Sequence, residues 1–352
     1  MQKIIFNFSK FKKKKNPNFH NLEKFDTNEI AQVLSNNTLT LMKHWIKFQQ
    51  EWINGIYREF KDYDRYIVLI YLVSKSWEDE SSLFKFYSIE EYYSQKNIRL
   101  PNISLLEYSE NLKIPKESVR RKLVELEKQG LIKREGQKIL LTQSALNLQK
   151  PENSIKNISI FFEKVSILLS AQNWFGESID RKKIELYFKK YYTIFWNRYF
   201  QFQIPYLVRW KTIFSDLESW VIWANMGINQ NIILEKKLRE TNIKSNSLEI
   251  KKEQYIANII SMNDTEANES MHGVNASSIA EISSIPRATV IRKLNKLSEE
   301  KIIKRNKKLE YFLTGQGKLN KKISANYFIN QKNIALFVTE IFNLIKKSSL
   351  KI

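Results

Sequence analysis

The sequence predicts a mainly α protein with small β-wings, built as two tandem units. Each unit is a helix–turn–helix with a following hairpin, flanked by further helices. Three observations predict this. The stretch IPKESVRRKLVELEKQGLIKREGQKILLT (residues 114–142) returns as IPRATVIRKLNKLSEEKIIKRNKKLEYFLT (residues 285–314), with ten of the first twenty-one positions identical at a constant offset of 171. A repeat of this kind fixes architecture before any single residue does. In both copies the apolar residues recur at i, i+4, i+7, the spacing of one helix face. In both copies an alternating segment with turn residues at its centre then reads as a hairpin.

The elements follow in order. Residues 1–37 are polar and rich in Lys and Asn, with four consecutive lysines from Lys12 to Lys15; they read as a flexible basic arm. The first unit is expected over residues 38–172. Trp45, Phe48, Trp52, Ile56 and Phe60 fall three to four apart and make one buried stripe on an amphipathic helix. The run YIVLIYLV (66–73) reads as the core of the next helix. The first cassette occupies about 103–145. Pro151 in KPENSIKN ends one element and starts another, and residues 158–169 form an apolar helix. The pattern breaks at WFGESID (174–180), which places the boundary.

The second unit, residues 173–352, repeats this order. Its aromatic region carries Trp196, Trp210, Trp220 and Trp223, with Trp196 matched to Trp45 at an offset of 151. The polar stretch SMNDTEANESMHG (261–273) reads as an exposed inserted loop. The second cassette covers about 274–318. A closing helix over 333–345 aligns with its counterpart in the first unit at an offset of 176.

Composition narrows the class. The chain has 352 residues, enough for two cores, and a formal charge of +21. Such a chain is drawn to polyanions, nucleic acid or an anionic membrane surface, although its Lys, Asn and Ile bias accounts for part of the charge. There is no cysteine, so disulfides, thiolate nucleophiles and Cys-based metal sites are excluded. No apolar run approaches the ~20 residues of a membrane span, and no signal-peptide pattern follows the N-terminal lysines. A cytoplasmic protein is expected. His20, His44 and His272 are scattered without metal-ligand spacing. GQGK at 315–318 is too short to cradle phosphates. Neither an enzyme nor a bound cofactor is expected.

Within each cassette the first helix crosses the second closely, at Ser109 in one copy and Ala280 in the other. Ile114 and Ile285 anchor the turn, and Pro115 and Pro286 suit a turn or first helical position because they lack an N–H. Val119, Leu123 and Leu126, and Val290, Leu294 and Leu297, form the inner face of the second helix. Its outer face carries Glu117, Ser118, Arg121, Glu125 and Lys128 in copy one. In copy two it carries Ala288, Thr289, Arg292, Asn295 and Lys296. Lys116 and Arg287 open the two helices, and Lys122 and Lys293 sit at the edge of the outer face. Arg suits guanine and Asn suits adenine in a major groove, while Lys neutralises phosphate. The hairpins add Lys133, Arg134 and Lys138 to the first copy, and Lys304, Arg305, Lys307 and Lys308 to the second. These residues are the expected DNA contacts. Between 287 and 308 there are nine basic residues and two acidic; between 113 and 138, nine and four.

The segment IPRATVIRKLNKLSEEKIIKR…YFLTGQGK resembles the winged helix-turn-helix of bacterial transcription regulators, most closely the MarR-like group, down to the closing LT-x-x-G. Gly317 fills the last position; Ala145 departs from it in copy one. The resemblance covers about 40 residues per copy. It implies a transcription regulator folded as a fused dimer, a monomeric pseudo-dimer or a homodimer, on double-stranded DNA with an imperfect palindrome. It also implies a small aromatic effector between helical and winged parts. The alternatives are a replication initiator or chromosome-organising protein with tandem winged helices, and a winged-helix protein-interaction scaffold.

Overall fold

The computed structural model describes residues 25–78, 87–136, 138–148, 150–171, 177–240, 273–314 and 317–349. The first half runs through α1 (Thr27–Asn36), α2 (Thr38–Phe60), α3 (Tyr63–Glu78), α4 (Ile89–Tyr93), β1 (Asn97–Leu100), α5 (Leu105–Leu112), α6 (Lys116–Lys128), β2 (Ile132–Glu135), β3 (Lys138–Thr142), α7 (Gln143–Leu148) and α8 (Glu152–Ala171). The second half runs through α9 (Arg181–Lys190), α10 (Tyr192–Phe214), α11 (Leu217–Glu240), α12 (Ala276–Ser283), α13 (Arg287–Glu299), β4 (Ile303–Arg305), β5 (Tyr311–Leu313) and α14 (Lys318–Ser349). The fold is mainly α with small antiparallel sheets, as the sequence predicts. No helix among the described residues is long and apolar enough to cross a membrane.

The helix ends repeat as closely as the cassettes do. Asp26 and Asp180 cap α1 and α9, each carboxylate accepting an N–H in the first turn. The α2 and α10 helices both have 23 residues and both end on a residue in left-handed conformation, Lys61 (φ 55°) and Ser215 (φ 67°). These landmarks lie 154 residues apart. Trp45 therefore matches Tyr199 rather than Trp196, and the offset of 151 expected from the tryptophans is corrected. Trp196 takes the place of Met42. A match built on one residue type failed because the matching places hold different large buried side chains, Trp45 with Tyr199 and Met42 with Trp196.

The basic-arm expectation is also corrected in part. Residues 27–36 form α1, which buries Ile30, Val33 and Leu34; residues 1–24 lie outside the described residues. So do 261–272 of the expected exposed loop.

The halves do not close separate cores, as the proposed domains implied. Helix α1 packs on α14 of the other half, and α9 packs on α8. Phe25 donates its N–H to Asn343 Oδ1 at 3.0 Å, and its ring meets Phe342. Each entry helix thus covers the closing helix of the opposite half. Between them α2, α3, α10 and α14 form one aromatic interior in which Trp45, Trp52, Trp196, Tyr199, Phe202 and Phe337 are in ring contact. A polar thread crosses it. Trp52 Nε1 donates to Tyr66 Oη (2.6 Å), which donates to Gln203 Oε1 (2.8 Å). Gln203 Nε2 and Gln49 Nε2 both donate to Tyr199 Oη. Gln49 and Gln203 occupy matching places in the two halves, so the thread sits where the halves meet. Burial pushes the Tyr66 and Tyr199 phenols far up, keeping both as neutral hydroxyls.

The closing segments differ for a sequence reason. In the first half Pro151 separates α7 from α8, and its carbonyl accepts from Ile155 N at 2.8 Å. The second half has no proline there, and one 32-residue helix, α14, spans both pieces.

Candidate nucleic-acid interface

In both halves the second helix of the cassette is anchored from within. Val119 and Leu126, and Val290, Leu294 and Leu297, are sealed from solvent, with Leu123 nearly so. Ile114 and Ile285 are buried at the turn, as the sequence predicts. Pro115 and Pro286 stand at the N-caps with φ near −55°. Each turn also needs a left-handed residue, Lys113 (φ 53°) or Ser284 (φ 58°).

The hairpins continue the same framework. The β2 strand pairs with β3 in register Ile132↔Leu141 to Glu135↔Lys138, with Gly136 at φ 61° in the turn. The β4 strand pairs with β5 from Ile303↔Leu313 to Arg305↔Tyr311. Thr142 and Thr314 lock each hairpin to the end of the preceding helix. Thr142 Oγ1 donates to Gly130 O, and Thr314 Oγ1 to Lys301 O. A third strand, β1, was not expected. It pairs with β3 in the first half, while among the described residues of the second half the matching contact is the single bridge Val274↔Tyr311.

Most expected contact residues lie outward together. Lys116, Glu117, Arg121, Lys133, Arg134 and Lys138 are exposed on the first cassette, with Ser118 half-buried. On the second, Arg287, Arg292, Asn295, Lys304, Arg305, Lys307 and Lys308 are exposed, with Thr289 and Lys296 half-buried. The Leu309 side chain joins them at the hairpin tip, 57% exposed and at φ 64°.

Two expected contacts are corrected. Lys122 is buried, and its Nζ donates to Asp62 Oδ2 at 2.6 Å and Glu125 Oε2 at 3.0 Å. Lys293, at the matching position, forms a 2.7 Å ion pair with Asp216, its side chain only 16% exposed. The helix-wheel position between faces places either lysine within reach of the helical body, and a carboxylate there takes it. Both acids stand just before a helix and cap it: Asp62 accepts from Arg65 N (2.9 Å), and Asp216 from Ser219 N (2.7 Å). Each carboxylate therefore starts one helix and ties down another, giving two matched latches. Arg65 reinforces the first through Glu125, at 2.9 Å. The sequence signal was available, as an Asp at a helix start recurring at the 154-residue offset.

Burial disfavours the Asp216 carboxylate, but the Lys293 ammonium and the Ser219 donors outweigh it and hold its pKa below the usual value. Glu218 shows the opposite balance: burial, with Asp216 and Asp62 nearby, raises its pKa. Asp216→Ala removes the ion-pair partner of Lys293 and is expected to cost about 1–3 kcal/mol in urea unfolding at neutral pH. Asp62→Ala should cost less, because Glu125 still holds Lys122. Because the folded pKa of Asp216 is depressed, its contribution is present above the ordinary carboxylate value and lost as pH falls through the folded one. The gap between parent and Asp216→Ala therefore narrows below about pH 4.

A cavity of about 240 Å³ lies behind the second cassette, between α2, α10, α11, β5 and α14. Its walls include Trp45, Tyr206, Trp210, Trp220 and Trp223, with Leu313 contributed by the hairpin strand. Asn54, Gln50 and Asn225 give it a polar edge and are hydrogen-bonded to one another. Gln230 Oε1 on α11 accepts from Leu313 N at 3.3 Å, joining the helical wall to the hairpin. No group of three or more His, Cys, Asp or Glu able to hold a metal ion occurs among the described residues. No family model matches the chain, and neither a curated protein nor a solved structure shows significant similarity to it.

Proposed function

We propose that the chain is a DNA-binding transcription regulator that reads a pseudo-palindromic duplex site with two tandem winged helix-turn-helix units. The observation that carries this reading is the twice-repeated helix with an apolar inner face, a basic outer face and a basic hairpin beside it. Both copies are fastened to one helical body by matched latches. A reader of this kind needs its helices at a set separation, because half-sites on one face of DNA recur each helical turn. The interlocked core supports that requirement without a second chain. Phosphate contacts from the hairpins supply affinity, and Arg121, Arg292 and Asn295 are the side chains suited to base edges.

The cavity favours an effector-responsive regulator. It is smaller than the ~300–1,000 Å³ of drug-sized sites, so a one- or two-ring aromatic ligand suits it. Leu313 would transmit its presence to the second hairpin.

Selection of genomic fragments on the purified protein, followed by sequencing, tests the reading. Enrichment upstream of genes supports regulation. Enrichment at an origin or at iterated repeats supports the initiator alternative. Weak, salt-insensitive binding without enrichment overturns both and leaves the interaction-scaffold alternative. On an enriched site, Arg292→Ala is expected to cost about 1–3 kcal/mol and to relax preference at one half-site.

A further inference from the structure

The two candidate reading surfaces look alike in sequence but differ in how their charge is committed. Between 113 and 138 there are nine basic side chains, and five of them are held by carboxylates. Arg120 pairs with Glu117, Arg121 with Glu125, Lys133 with Glu135 and Arg134 with Glu127. Lys122 is latched to Asp62. Lys113, Lys116, Lys128 and Lys138 remain. Between 287 and 308 there are also nine, and among the described residues only Lys293 is in an ion pair, with Asp216. Arg287 donates to the neutral Ser277 hydroxyl (3.0 Å), and Arg305 lies over the Tyr311 ring. Among the described residues, no ion pair engages Arg292, Lys296, Lys304, Lys307 or Lys308.

The cause is positional. The four acids of the first surface, Glu117, Glu125, Glu127 and Glu135, are replaced at matching positions of the second by Ala288, Lys296, Ser298 and Asn306. The Glu125 position matters most. There an acid binds Arg121 one turn back, whereas Lys296 leaves Arg292 open. The acids of the second surface lie aside. Glu299 and Glu300 close the end of α13, and Glu310 accepts hydrogen bonds from Asn306 and Gly273 inside the hairpin. Exposed ion pairs are individually weak, so DNA can displace them. The freed carboxylate, however, then faces phosphate, and that repulsion persists.

Resting on the proposed DNA reading, we infer that the second unit supplies most of the phosphate-binding free energy and the first unit reads as a weak, selective partner. The fitting ligand is an asymmetric duplex site with one strong half, held by the 287–308 surface. The first unit engages only where base contacts repay the repulsion from its acids.

The test compares matched triple variants of the full chain on an enriched duplex over a salt series. One is Arg292→Ala/Lys304→Ala/Arg305→Ala; the other is Arg121→Ala/Lys133→Ala/Arg134→Ala. The first is expected to lose roughly a hundredfold in affinity, with the log–log salt slope falling by about 2–3. The second is expected to lose under about fivefold, with the slope falling by less than about 1. A gain variant, Glu117→Gln/Glu127→Gln/Glu135→Gln, should tighten binding roughly tenfold and steepen the slope. It remains decisive if either alanine variant folds poorly. Equal losses from the two alanine variants, or no gain from the glutamine variant, overturn the asymmetry while leaving the DNA reading intact. Failure of the parent protein to bind any duplex at low salt overturns the DNA reading itself.

Discussion

Phe337→Ala is expected to cost about 3–5 kcal/mol and to lower the whole molecule's urea midpoint in one transition. Phe337 is 2% exposed on α14, and its ring meets Trp45 and Phe162 of the first half and Tyr199 and Phe202 of the second. Removing it leaves a void that α14 cannot fill, since the helix is pinned on one side by α1 and on the other by α10. Phe161 is its counterpart on α8, in contact with Trp45 and Phe162. Phe161→Ala should also be costly but disturb fewer rings from the opposite half. Phe328 lies on the same helix as Phe337 and is 44% exposed; its alanine variant should change stability by less than about 0.5 kcal/mol. Two separated transitions in Phe337→Ala, followed by far-ultraviolet circular dichroism and tryptophan fluorescence, would show that the halves unfold independently.

Gly317→Ala is expected to cost about 2–5 kcal/mol and to weaken the second surface with it. Gly317 holds φ at 90°, a region unfavourable to side chains, and an added Cβ would lie 2.5 Å from the Glu300 carbonyl oxygen. That carbonyl belongs to the turn joining α13 to β4, so the clash reaches both α13 and its hairpin. That oxygen cannot give way cheaply, because it is part of the backbone. Gly130→Ala is the control. It also has positive φ, 69°, but nothing lies within 4 Å of its added Cβ, so about 1 kcal/mol is expected. Thermal unfolding of the two variants distinguishes clash from conformational preference alone. If the costs are equal, the close approach at Gly317 does not matter.

Gly317 also shows what a motif leaves unsaid. The matching residue Ala145 is a departure when read as sequence. In the structure Ala145 lies inside α7, with its N–H directed to Thr142 Oγ1, so no left-handed residue is needed there. The cassette helices, the hairpins and the buried Ile and Leu anchors were legible because each rests on a local period or turn. The exchange of α1 and α9 between halves was not legible. Ile30, Val33 and Leu34 lie in a polar stretch that reads as an arm, and their spacing says nothing about which helix receives them. Lys122 and Lys293 misled for a related reason. A lysine between two faces reads as solvent-directed unless the carboxylate opposite is known, and Asp62 and Asp216 sit 60 and 77 positions earlier in the chain. The charge asymmetry lies between these cases. The residue counts hinted at it, but which acids hold which cations required the geometry.

The exchanged entry helix sets an order of events during synthesis. Helix α1 is made first, yet its partner α14 is made last among the described elements, and the Phe25–Asn343 hydrogen bond spans 318 positions. Contacts of that separation form late and slow folding. Until α14 emerges, Ile30, Val33 and Leu34 have lost their main partner surface, and the aromatic interior is open on the side that Phe337 fills. A nascent chain halted after the second hairpin would already carry both basic surfaces but no closed body to hold them. Commitment to the native state therefore waits for α14 rather than proceeding unit by unit.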